Sequence, residues 1–136
     1  MKTKGLTLME LVIVLAIMVI VALILVPMFL LTTDRSRLRA DIQSANVIQN
    51  AIDLHRIERR QSVAGSPNVN TMVQNLADAG YIDPRKVTIQ TENAVWFLNN
   101  NSVMVDITLS PDDVHRAYAS LSDDEKIFVR GGDASR

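Results

Sequence analysis

Glu10 has the most unusual surroundings of any ionisable residue in this sequence, because its carboxylate directly precedes a long uncharged segment. Residues 11–31 contain no charged or polar side chain. An acidic side chain within a membrane-length helix costs about 2.5–3.5 kcal/mol on insertion scales, and less near the interface. Glu10 therefore either lies at the membrane interface or is neutralised by a cation.

Gly5 offers a route to such a cation. Cleavage after Gly5 would give Leu6 a free ammonium group four residues before Glu10. The ammonium of one copy and the carboxylate of a neighbouring copy would then pair inside an apolar bundle. Because a buried charge without a partner is strongly destabilising, this pair would fix the axial offset at which subunits associate. An ordinary secretory signal fits less well, since its apolar region spans only about 7–15 residues.

Side chains that could carry out catalysis are sparse. There is no Cys, and the two histidines, His55 and His115, do not form a metal-binding or base–nucleophile pattern. The sequence also lacks a glycine-rich phosphate loop and a nucleophile elbow. We interpret both histidines as surface or packing residues, and we expect neither enzymatic activity nor a cofactor, calcium excepted.

Acidic residues cluster near the C-terminus, at 112–113 and at 123–125. Carboxylate oxygens are the ligands that calcium prefers. Each cluster also lies where a short helix is expected to begin, and helix N-termini favour acidic side chains. Helix capping is therefore the preferred interpretation, with Asp123, Asp124 and Glu125 as the better calcium candidates.

Length and composition indicate one small domain attached to an anchor. The chain has 136 residues, a net charge of −1 and a pI near 6.1. As a helix, residues 11–31 would span about 31 Å, which is enough to cross a bilayer core. Lys2 and Lys4 predict a cytoplasmic N-terminus. Arginines beyond this segment alternate with acidic residues, so nucleic acid is not expected as a partner.

The helical pattern continues beyond the apolar segment and becomes amphipathic. No Gly or Pro occurs between Pro27 and Gly65, which predicts one helix from about Leu6 to Arg59. Its upper part has an apolar face at spacings of three and four residues: Leu38, Ile42, Ala45, Ile48, Ile52 and His55. We expect this face to pack on the rest of the chain and the lower part of the helix to pack on other subunits.

Residues 61–136 predict a small α+β head. A helix is predicted over 71–79, capped by Asn70 or Thr71. A second short helix is predicted after Ser110 as its cap. Four strands are predicted in an antiparallel sheet: 87–91, 94–98, 103–109 and 127–130.

The run Gly-Leu-Thr-Leu-Met-Glu-Leu from Gly5 onward, followed by an apolar helix, resembles the class III signal of type IV pilins and type II secretion pseudopilins. In that family a prepilin peptidase cuts after the residue matching Gly5 and methylates the new N-terminus, here Leu6. The resemblance assigns filament assembly to Glu10 together with Thr7. It also assigns a helix kink to Pro27.

The resemblance implies four segments: a leader at 1–5, a transmembrane and assembly helix at 6–31, an amphipathic stem at 32–60 and a head at 61–136. The implied fold is α+β and pilin-like, with the long helix packed on the head. The implied function is that of a structural subunit of a type IV pilus-like filament. Its partners would be identical subunits, the prepilin peptidase, an inner-membrane assembly platform and, before assembly, membrane lipid.

The precursor is expected in the bacterial cytoplasmic (inner) membrane, crossing it once, and the assembled form in a cell-surface or periplasmic filament. Two alternatives stay open. One is a major-type pseudopilin of a type II secretion or competence (DNA uptake) system. The other, of a different class, is an uncleaved single-span anchored module for binding or sensing.

Overall fold

One long helix dominates the structure. The computed structural model describes Gly5 and residues 7–59 and 68–132. Its first element, α1, is a 52-residue helix, Leu8–Arg59, and is about 78 Å long at the standard helical rise. The predicted long helix is confirmed, and Pro27 lies inside it without ending it.

The head follows α1 and combines short helices with short strands. The elements described after α1 are, in chain order, α2 (Val69–Asp78), a 3-10 turn (Pro84–Lys86), β1 (Val95–Asn99), β2 (Ser102–Asp106), α3 (Asp112–Ala119), α4 (Asp123–Lys126) and β3 (Val129–Arg130). The α+β arrangement with a long N-terminal helix is therefore confirmed.

The sheet is mixed, with strand order β1-β2-β3. β1 and β2 form an antiparallel hairpin that ends in the pair Asn99 and Ser102. Asn100 and Asn101 make the turn with positive φ angles, which Asn adopts more readily than most residues. β3 pairs with β2 in parallel. The prediction of an antiparallel sheet is wrong for β3, because the chain returns to β2 through α3 and α4 rather than through a tight turn.

The upper part of α1 forms one wall of the hydrophobic core. The core joins the α1 face to β2 and α3, and includes Leu38, Ile42, Ala45, Ile48, Ile52, Val103, Val105, Ile107 and Val114. Full burial of each large aliphatic side chain contributes about 1.5–3 kcal/mol. Burial along α1 begins at Asp34. The expected packing of the upper part of the helix on the head is confirmed.

A buried carboxylate that the sequence analysis did not single out holds the segment before β1. Asp41 on α1 is fully buried. It accepts hydrogen bonds from the backbone N–H of Gln90 at 2.8 Å and of Thr91 at 2.9 Å. The predicted strand at 87–91 is therefore wrong, because amides that would have joined a sheet bond to a side chain on α1.

α2 begins earlier than predicted. The side chain of Asn68 accepts a hydrogen bond from the backbone N–H of Asn70 at 2.9 Å and caps the helix. Asn70 and Thr71, the predicted caps, lie inside the first turn instead. A capping Asn two residues upstream provides the earlier start.

Ser110 does not cap α3. Its hydroxyl donates to the carbonyl of Glu92 at 2.7 Å, which ties the loop after β2 to the segment before β1. Pro111 occupies the N-cap position, and no side chain caps the helix there. The predicted cap was wrong because the hydroxyl has a tertiary acceptor.

Candidate functional site

Thr7 and Glu10 together form the start of α1. The backbone N–H of Thr7 donates to Glu10 Oε2 at 2.9 Å, and the Thr7 hydroxyl donates to the same oxygen at 3.1 Å. In return, Thr7 Oγ1 accepts a hydrogen bond from the backbone N–H of Glu10 at 3.3 Å. This reciprocal arrangement is a capping box, which satisfies donors that a helix start otherwise leaves unpaired.

The capping box gives Glu10 a local role that sequence analysis missed. The signal was present, because Thr followed three residues later by Glu before an apolar run is the capping-box pattern. Both bonds to the carboxylate end on Oε2, and Oε1 accepts none within the part of the chain that the structure describes. Glu10 therefore keeps one oxygen available for a cation from outside the chain.

The expected cleavage position lies just before the capping box. Gly5 is exposed, and a Cβ placed there would have nothing within 4 Å. Leu6, the expected methylation site, and residues 1–4 of the expected leader lie outside the described residues. The structure brings Thr7 and Glu10 together and leaves Gly5 accessible.

The lower part of α1 is not covered by the rest of the chain. Its large apolar side chains are exposed throughout, from Leu8 at 82% to Leu31 at 40%. This helix is long and apolar enough to cross a membrane, and no residue in its most apolar stretch is buried. Exposing such surface to water costs about 25 cal/mol per Å². The lower part of α1 therefore requires lipid or other helices around it.

Pro27 lies within this exposed part, where it removes one backbone donor from the helix. One turn later, the hydroxyls of Thr32 and Thr33 donate to the carbonyls of Met28 at 2.9 Å and Phe29 at 3.0 Å. The helix itself thus satisfies both hydroxyls at the upper end of the apolar segment.

A shallow apolar groove of about 370 Å³ is lined by Val19, Ala22, Leu23, Val26 and Pro27. The kink expected at Pro27 stays a prediction.

Of the acidic residues at 123–125, Glu125 takes part in a capping box with Ser122 at the start of α4. The backbone N–H and hydroxyl of Ser122 donate to Glu125 Oε2 at 2.9 and 3.0 Å. Arg39 Nε on α1 donates to Glu125 Oε1 at 2.7 Å and so links α4 to the stem. Among the residues that the structure describes, no three His, Cys, Asp or Glu side chains form a group that could hold a metal ion. Calcium at Asp123, Asp124 and Glu125 stays a prediction without structural support.

The link between Arg39 and Glu125 predicts a loss of stability in acid. The Arg39 guanidinium, and after it the Ser122 backbone N–H, lower the pKa of Glu125 from 4.5 to about 2. The contribution of ionised Glu125 to stability is therefore complete above pH 4.5 and disappears as the pH falls toward 2. We expect Glu125→Gln to flatten this decline in the free energy of unfolding.

Urea-unfolding midpoints of the full chain in detergent micelles, followed by fluorescence of the single Trp, test this prediction from about pH 6 to about pH 2. Asp34 acts in the opposite direction, because burial, and then the Asp113 carboxylate, raise the pKa of Asp34. Its contribution is present at low pH and is lost as the pH rises through that raised pKa. Asp34 is unchanged in both proteins, so the comparison isolates Glu125. Parallel pH profiles for the two proteins would contradict the prediction.

The two histidines lie on different elements, His55 on α1 and His115 on α3. The ring of His55 on α1 meets the ring of Tyr81 edge-on, with centroids 5.2 Å apart. The Tyr81 hydroxyl donates to Glu58 at 2.6 Å. His55 therefore helps to pack the top of the stem against the turn after α2.

The start of α1 combines an accessible glycine, a capped carboxylate with one open oxygen, and an exposed apolar helix. This arrangement leaves the Glu10 carboxylate able to pair with a cation beside the exposed apolar helix. Comparisons of the chain with protein-family models, with curated proteins and with solved structures find no match.

Proposed function

We propose that this chain is a structural subunit of a type IV pilus-like filament, cleaved after Gly5 and polymerised through α1. The observation that carries the proposal is the exposure of the entire lower part of α1 in a chain whose upper part is already packed on its own head. Neighbouring copies of the same helix can cover that apolar surface once it leaves the membrane. The proposal includes pseudopili of secretion or competence systems as well as pili.

Gly5 supports the cleavage step. Its position is open, so the folded chain does not itself require a residue without a side chain there. A steric requirement for glycine would then come from a partner that binds the segment before α1. A peptidase that cuts after Gly5 is such a partner, and it would release Leu6 next to the capping box.

Glu10 supports the assembly step. Thr7 holds the carboxylate at the first turn of α1 through Oε2, which leaves Oε1 to face a neighbour. The amine released at Leu6 of another subunit is a suitable cation. In a low-dielectric bundle the pair would specify the stagger between subunits, since any other offset would bury both charges without partners.

The mass of the N-terminal peptide of the protein from its native host tests the proposal. We expect a peptide that begins at Leu6 and carries one methyl group on its amine. A peptide that begins at Met1, in cells where the peptidase is present, would contradict cleavage and polymerisation. It would favour the uncleaved membrane-anchored module instead.

A further inference from the structure

β1 is the open edge of the sheet. It pairs with β2 on one side, and the strand order β1-β2-β3 leaves its other side without a strand among the described residues. Its five residues, Val95–Asn99, include no charged residue and no Pro. Natural edge strands are commonly protected by such residues, because an unprotected edge accepts another strand. β1 lacks that protection.

Alternate backbone groups of β1 face this open side. Val105, which pairs with Trp96, donates its N–H to the Phe128 carbonyl at 2.9 Å, on the side of β3. The backbone groups of Trp96 therefore point away from β2, because the two residues form a non-hydrogen-bonded pair. Leu98 is two residues further on and points the same way. An added strand would find two N–H donors and two carbonyl acceptors there.

Uncharged clefts follow the same strand. One cleft of about 430 Å³ lies between the start of β1 and α2, and a second of about 400 Å³ continues along β1. The two share Asn70, Val95 and Trp96, and every residue that lines either of them is uncharged. Side chains entering this surface would meet valine, isoleucine and tryptophan, together with side-chain amides. An uncharged, mainly apolar segment fits these walls.

We propose that β1 binds an extended, uncharged and mainly apolar segment of another protein as an additional strand, with alternate side chains of that segment in the two clefts. Open backbone donors and acceptors select an extended polypeptide, and the uncharged walls select its side chains. A second folded copy fits less well than a single segment, because α2 contacts β1 and lines both clefts beside it. The edge strand of another head would carry its own α2 into the same space.

This inference does not depend on polymerisation. The edge and the clefts belong to the head alone, whereas the proposed filament function depends on the start and lower part of α1. A failure of peptide binding would leave the N-terminal processing unaffected, and an unprocessed N-terminus would leave peptide binding unaffected.

Amide hydrogen exchange, measured by NMR on the full chain in lipid nanodiscs, tests the proposal directly. The probe is a blocked synthetic peptide of alternating threonine and valine, added to about 1 mM. We expect the exchange of the Trp96 and Leu98 amides to slow by at least about tenfold. The amide of Phe97, which already bonds to β2, should not change. Unchanged exchange at Trp96 and Leu98 would overturn the proposal.

A backbone variant separates strand addition from nonspecific apolar contact. Leu98→Pro removes one outward N–H and keeps the bonds between β1 and β2, so we expect peptide affinity to fall by at least about tenfold. Leu98→Ala, which shortens the same side chain in the second cleft but keeps the N–H, should bind the peptide clearly more tightly than Leu98→Pro. Should Leu98→Pro fail to fold, the exchange measurement on the unmodified chain still decides. Protection of both amides that rises with the concentration of the protein, in the absence of peptide, would show that a second copy covers the edge. That result would overturn the proposal that the partner is a segment of another protein.

Discussion

Glu10→Gln is expected to leave the subunit in the membrane and to exclude it from filaments made of unmodified chains. Gln preserves the capping box, because that motif accepts Glu or Gln at this position, but it removes the negative charge. In the proposed filament, the Leu6 amine of a neighbour would then lack its counter-charge. Leaving one buried charge unpaired costs about 3–5 kcal/mol, so incorporation should fall by at least about a hundredfold.

Thr7→Ala separates the effect of the helix cap from the effect of the charge. It removes the hydroxyl that bonds to Glu10 in the structure and keeps the carboxylate, so the loss is limited to a helix cap of about 1 kcal/mol. The backbone N–H of residue 7 can still hold the carboxylate, so we expect this variant to enter filaments less readily than the unmodified chain but far more readily than Glu10→Gln. Co-expression of each tagged variant with the unmodified chain, followed by quantification of sheared filaments and membranes, measures both. Normal incorporation of Glu10→Gln together with exclusion of Thr7→Ala would show that the cap, not the charge, governs assembly.

Asp41→Ala is expected to lower the stability of the head by about 3 kcal/mol or more. The substitution removes the acceptor for two backbone N–H groups, of Gln90 and Thr91. Hydrogen bonds to a charged group contribute about 1.5–3 kcal/mol each, and donors left buried without acceptors add a further cost. For a domain of this size, the melting temperature should fall by about 10 °C or more.

Asp53→Ala is the matched control on the same helix. Asp53 is half-exposed and contacts Gln49 and Arg56 on the surface of α1, so its loss should cost no more than about 1 kcal/mol. Thermal unfolding of the full chains in detergent, followed by Trp96 fluorescence, compares the two. Equal melting temperatures for Asp41→Ala and Asp53→Ala would contradict the role given to Asp41.

The parts of the fold that could be predicted from the sequence are those that depend on residues close together in the chain. The helix to Arg59 and the Asn100-Asn101 turn depend on residues close in sequence, and the structure contains both. The capping box of Thr7 and Glu10 is equally local, so it could have been predicted from the sequence, but the sequence analysis did not predict it. The strand expected at 87–91 was predicted from the residues of that segment alone, and these do not reveal that Asp41, far away in sequence, binds two of its amides.

The sequence by itself determined the membrane-length helix, the position of Glu10 at its start and the amphipathic face of the stem, because each follows from residue type and helical periodicity. Only the tertiary structure decided the parallel pairing of β3, the burial of Asp41 and the bond between Arg39 and Glu125. The physical reason is that these features join segments distant in the chain. Their geometry is set when the head packs on α1, which brings together donors and acceptors that no local pattern connects.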